Sequence, residues 1–159
     1  MKFAGKELPD DLYTRLCGRL VDRYLNQVVL LYTVDKNGWP HPSVLSYFEV
    51  VARDRTNIRL ATYKNSNTTE NMRRNHIVTL SIFDDRIACS IKGRAEEIRH
   101  EMRSAPHNSM LNVAIDEVLL DEADPVLEPG AYISSGITCV SPARRDGILK
   151  ELMAADDAD

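Results

Sequence analysis

The stretch YKNSNTTENMRRN, Tyr63 to Asn75, places Ser66, Asn67, Thr68 and Thr69 just ahead of two arginines, Arg73 and Arg74. It follows an apolar run, so it reads as a strand that ends, turns and becomes a short helix. Two kinds of chemistry fit. Asn67 with Glu70 three residues on has the spacing that satisfies the free N–H groups of a first helical turn. The same hydroxyls and N–H groups, with arginines one turn later, are also suited to holding a phosphate. The local sequence is compatible with both.

Other reactive residue types are scattered. His41, His76, His100 and His107 show no H-x-H or H-E-x-x-H spacing, so no protein-ligated metal is expected. Cys17, Cys89 and Cys139 form no C-x-x-C pair and read as small buried apolar residues. No triad or paired carboxylates stand out, and Glu49, Glu96, Glu97, Asp116 and Glu117 read as surface charges. No catalytic side chain is assigned.

A chain of 159 residues with 43% hydrophobic and 28% charged residues can bury the core of one domain. That domain is expected to span 1–159, with a core over about 8–140 and a C-terminal helix over about 143–154. A net charge of −4 disfavours extended nucleic-acid binding. No apolar run approaches a membrane span or signal-peptide core, so a cytoplasmic protein without a membrane partner is expected.

The elements that would position the turn follow from periodicity. LPDDLYTRLCGRLVDRYL spaces Leu12, Leu16, Leu20 and Tyr24 four apart, an amphipathic helix with Asp10 and Asp11 in its first turn. QVVLLYTVD is a strand closed by Asn37 and Gly38, and a second strand is expected from about Pro40 to Ala52. NIRLATY leads into the turn, and two alternating strands joined at Asp84 and Asp85 follow the short helix. Residues 109–122 fit either period and are read as a strand. DPVLEPG is a loop, AYISSGITCV a last strand, and ARRDGILKELMAAD a terminal helix. The sum is a mainly β protein, an antiparallel sheet closing into a small barrel, with helices near both ends and one short internal helix.

In element order and wording the chain resembles the FMN-binding split-barrel superfamily, which includes pyridoxamine 5′-phosphate oxidase. LLYTVDKNGWPHPSVLSYFEV resembles its opening hairpin, and LATYKNSNTTENMRRNHIVTLSIF its strand, phosphate loop, helix and next strand. IKGRAEEI and ISSGIT resemble later strands. The resemblance covers about Leu8 to Val140 and implies an antiparallel split β-barrel. It makes Thr62, Tyr63, Lys64, Ser66, Asn67, Thr68 and Thr69 candidate contacts for the FMN phosphate and ribityl chain. Pro42 to Ser46 would run along the isoalloxazine, which brings in Ser43, Val44, Leu45 and Ser46. One departure matters. The oxidase pattern has an Arg-Lys pair after the loop serine and a further Arg on the second strand, where this chain has Asn67, Thr68 and Ser43. Lys64, Arg73 or Arg74 could supply the charge, and the oxidase reaction itself is not carried over.

The resemblance implies an FMN-dependent oxidoreductase in which the cofactor carries the chemistry for a small-molecule substrate or electron donor. The alternative is a carrier or sensor of the same fold holding flavin, a deazaflavin or haem without turnover, with a histidine as haem ligand. A ligand-free dimeric scaffold is a third reading. A homodimer with flavin sites at the interface is expected, because apolar strand faces such as IVTLSIF need a cover.

Overall fold

The computed structural model describes residues 2–141 and 143–156. Eight strands, β1 (Lys2–Gly5), β2 (Val28–Val34), β3 (Pro40–Ser46), β4 (Val50–Ala52), β5 (Asn57–Tyr63), β6 (Ile77–Asp84), β7 (Ile87–Arg99) and β8 (Asn108–Leu120), form one sheet. Three helices accompany it: α1 (Asp10–Leu16), α2 (Asn67–Asn75) and α3 (Asp146–Met153). The strand order is β3-β2-β6-β7-β8-β5-β4, every pair is antiparallel, and β1 adds to β8 off this path. The two end strands, β3 and β4, are consecutive in the chain. The sheet therefore curls until its edges meet at the Tyr47–Glu49 turn without pairing, which is a split barrel. Residues 109–122 are strand, as read from their alternation, through Leu120.

The interior is filled by alternate residues such as Val29, Leu31, Leu60, Leu80, Ile82, Ile91, Leu111 and Val113. α2 contributes Met72 and lies against β2, β5 and β7. α3 buries Ile148, Leu149 and Leu152 and packs on β4 and β5.

Four expectations are corrected. The first helix stops at Leu16 instead of running on to Tyr24, and Val21–Tyr24 is a separate 3-10 turn. Gly18 has φ +84, which breaks the helix, and a Cβ there would lie 2.7 Å from Met153 Sδ, so the kink makes room for α3. The strand expected over Pro40–Ala52 divides, because Ser46 donates its N–H at 2.7 Å and its hydroxyl at 2.8 Å to Glu49, turning the chain from one sheet edge to the other. AYISSGITCV is not a strand; it is a strap with one bridge, Gln27 to Thr138. Both edges of β2 are already taken by β3 and β6, leaving no ladder for it to join. Finally, Cys89 is buried but Cys17 is half-buried and Cys139 exposed.

Two ion-pair clamps hold the helices to the sheet. Arg73 of α2 grips Glu97 of β7 with two bonds, of 3.1 and 2.6 Å. Glu151 of α3 accepts from Arg99 at 2.7 Å, the Ser104 amide at 2.7 Å and the Arg103 amide at 2.9 Å. The hydrogen bonds from Arg73 hold the Glu97 carboxyl at about 2. Burial pushes Glu151 upward, but the Ser104 hydroxyl, the two amides and Arg99 outweigh it and bring that carboxyl to about 2 as well. Both groups lie below their unfolded values near 4.3, so the unfolded chain binds more protons at low pH. Their stabilisation is complete above about pH 5 and is lost as pH falls towards 2, at roughly 2–3 kcal/mol each. Urea midpoints should therefore stay level above about pH 5 and fall steeply below it, with a shallower fall in Glu97→Gln. A pH-independent midpoint between pH 5 and 2.5 would contradict the clamps.

Candidate functional site

The split between the sheet edges is a groove. One cavity of about 150 Å³ is lined by Ser43, Val44 and Leu45 of β3, Ala61, Thr62 and Tyr63 of β5, Glu49, and Ser66 and Thr68 at the start of α2. A second of about 210 Å³ continues it past Ser46, Gln27 and Phe48 to Ser141 and Arg145 of the C-terminal segment, and the two share Val44, Glu49 and Tyr63. Together they are at the small end of the range for a cofactor cleft. Val44 and Tyr63, respectively 59% and 56% exposed, give the groove an apolar rim.

The α2 end is the part sequence reasoning aimed at. The cap is Ser66 rather than Asn67, its hydroxyl accepting from the Thr69 amide at 3.2 Å. The first helical bond runs from the Glu70 amide to the Ser66 carbonyl at 3.0 Å, so the Asn67 and Thr68 amides are the helix's remaining first-turn donors. Thr68 and Ser43 hydrogen-bond across the groove, a hydroxyl pair reachable from inside it.

Thr69 is turned inward. Its hydroxyl is bonded to Thr62 at 2.6 Å and to the Tyr63 carbonyl at 2.8 Å, fixing the strand-to-helix corner from behind. Asn67 is exposed and lines neither cavity, and Lys64 points away to Glu101. The groove thus gathers Ser43, Val44, Leu45, Ser46, Thr62, Tyr63, Ser66 and Thr68, and leaves Lys64, Asn67 and Thr69 outside it.

None of the three cations considered for a phosphate lines either cavity. Arg73 is held by Glu97 and by the Lys64 carbonyl at 2.8 Å, and Arg74 by the Val34 carbonyl at 2.9 Å and Asn71 at 2.8 Å. The charged residues that do line the groove were missed. Glu49, read as a surface charge, is 7% exposed and pairs with Arg145. Its Ser-x-x-Glu spacing to Ser46 was a usable signal for a side chain folding back onto a backbone N–H. Arg145 lies 96 residues away and had no local signal.

A buried network fixes the turn between them. Arg15 donates to Asp84 at 2.8 Å and Tyr47 at 3.2 Å, lies over Tyr24 at 4.5 Å, and Tyr24 stacks on Tyr47 at 4.8 Å. Tyr47 is thereby locked beside Ser46. Among the described residues no group of three or more His, Cys, Asp or Glu could hold a metal ion, and no helix is long and apolar enough to cross a membrane.

Residues 24–124 match the pyridoxamine 5′-phosphate oxidase family model, and the chain belongs to that family. It is 36% identical over 67 residues to the uncharacterized protein YclD of Bacillus subtilis, a match spanning 42% of this chain and 44% of that relative, so it aligns with less than half of the relative's length. Among solved structures it is similar to a candidate pyridoxamine 5′-phosphate oxidase from Lactobacillus delbrueckii, with a TM-score of 0.56 and 18% identity over 75% of this chain and 99% of the other. It is also similar to an FMN-binding protein from Syntrophomonas wolfei, with a TM-score of 0.53 and 14% identity over 72% and 89% of the respective chains. These structures share the split-barrel fold.

Proposed function

We propose that the protein is a cytoplasmic, FMN-dependent oxidoreductase acting on a small molecule. The observation that carries this is the groove itself: apolar Val44, Leu45 and Ala61 on one stretch, and the Ser43, Thr62, Ser66 and Thr68 hydroxyls with a helix start on the next. That donor set fits an amphipathic cofactor with an apolar ring system and a phosphate. Bound flavin would supply electron or hydride transfer. The chain's own residues would bind, orient and shield it. None of His41, His76, His100 and His107 lines either cavity, which favours flavin over haem.

The rim also supports the homodimer reading. Leu30 and Tyr32 of β2 pair with Val44 and Pro42 of β3, giving a two-strand apolar face beside the groove, and Ile77 at the start of β6 and Trp39 in the β2–β3 turn are exposed. A second copy over that face would cover Val44. The test takes FMN-loaded protein through a sizing column and mixes it anaerobically with NADH or NADPH. Elution at twice the chain mass, and reduction of bound flavin faster than that of free FMN, are expected. A monomer would sink the dimer, and flavin that no donor reduces faster than free FMN would make the protein a carrier.

A further inference from the structure

Among the described residues, Arg145 and Glu49 are the two charged side chains lining the two cavities, and each is the other's partner. Their situations differ. Glu49 is fully engaged: one carboxylate oxygen takes both Ser46 bonds and the other takes the guanidinium. Arg145 is not. Its guanidinium makes that bond and a long one of 3.4 Å to the Tyr63 hydroxyl, leaving most of its five N–H donors to the groove. Its side chain is 35% exposed, whereas that of Glu49 is 9% exposed. The neighbouring Arg144 makes the contrast clear: it lies over Phe48 at 5.4 Å and is neutralised by Asp22 and Asp146, each at 2.9 Å.

A planar guanidinium with one buried counter-ion and several unused donors is built to accept a second anion. We propose that Arg145 is the anion receptor of the groove, receiving a phosphate or carboxylate at the C-terminal end, with Glu49 as the internal anion that keeps the site neutral while empty. The proposal rests on reading this groove as the ligand site. It gives the groove a cation at the end away from Ser66, by the start of α3. Two sources share this chemistry, the phosphate of the cofactor and the acidic group of a second ligand.

The test titrates the full apo chain with inorganic phosphate and with benzoate, by calorimetry. Arg145→Met should weaken both at least tenfold, and Arg144→Met should leave both unchanged. Glu49→Gln, which frees the guanidinium while keeping the Ser46 turn supplied with an acceptor, should tighten both several-fold. The double variant Glu49→Gln/Arg145→Met, in which no buried charge is left unpaired, should bind neither and serves if Arg145→Met does not fold. Unchanged anion binding without Arg145, or Glu49→Gln binding anions no tighter than the wild type, overturns the proposal.

Parallel titrations with FMN and riboflavin identify the source. If Arg145→Met erases the preference for FMN, the anion is the cofactor phosphate. If the preference survives while phosphate and benzoate cease to perturb the bound flavin's spectrum, the anion belongs to a second ligand. A wild type that binds phosphate through Arg145 but no flavin would fail the flavin reading and leave the receptor standing.

Discussion

Ser66→Asp is expected to leave the protein folded and to weaken FMN binding at least a hundredfold, while riboflavin binding changes little. Aspartate caps a helix about as well as serine, so the bond to the Thr69 amide persists and the α2 start keeps its geometry. What changes is the charge at the mouth of the turn. A carboxylate there repels the phosphate dianion beside the free Asn67 and Thr68 amides, and a loss of about 3 kcal/mol corresponds to the hundredfold change. Riboflavin lacks the phosphate and reports the rest of the groove. Fluorescence titration with both ligands separates the outcomes: equal losses would mean a damaged groove, and no loss would place the phosphate elsewhere.

The second large effect is on the fold. Gly93 sits at the bulge between β7 and β8, where a Cβ would stand 2.4 Å from the Ala114 carbonyl oxygen and 2.7 Å from Val113 Cγ1. The nearest atom is backbone in the longest ladder of the sheet, so the clash is relieved only by opening strand pairing. Gly93→Ala should therefore cost about 3 kcal/mol or more, a fall in Tm of roughly 6–12 °C for a chain this size. Gly147→Ala is the control, since its added Cβ would meet nothing nearer than 3.4 Å. A Tm for Gly93→Ala within a degree or two of the wild type would mean that the bulge is not the tight point of the barrel.

What the sequence disclosed follows the range of the forces involved. Alternation is local, so β2, β5, β6, β7 and β8 were legible, and so was the corner at Tyr63 to Thr69, whose hydroxyl pattern is its own signal. β1 was missed because it is short and largely exposed and pairs only with the far end of β8, leaving no apolar period to read. AYISSGITCV has a strand's composition but runs beside β2, whose two edges are already paired with β3 and β6, which is a property of the sheet order and not of the segment. The site divides in the same way. Ser43 to Ser46 and Thr62 to Thr68 could be singled out from wording and resemblance, whereas Glu49 with Arg145, joined across most of the domain, becomes visible only when the chain is closed.

The central claim is that the split between β3, β5 and α2 holds a flavin. Its most direct test is the visible absorbance of the purified wild-type protein after FMN is added and the excess removed on a desalting column, with Ser66→Asp treated alongside. The account predicts flavin retained by the wild type in proportion to the chains present and almost none by the variant. A wild type that emerges colourless, or a variant that retains as much flavin as the wild type, would contradict it.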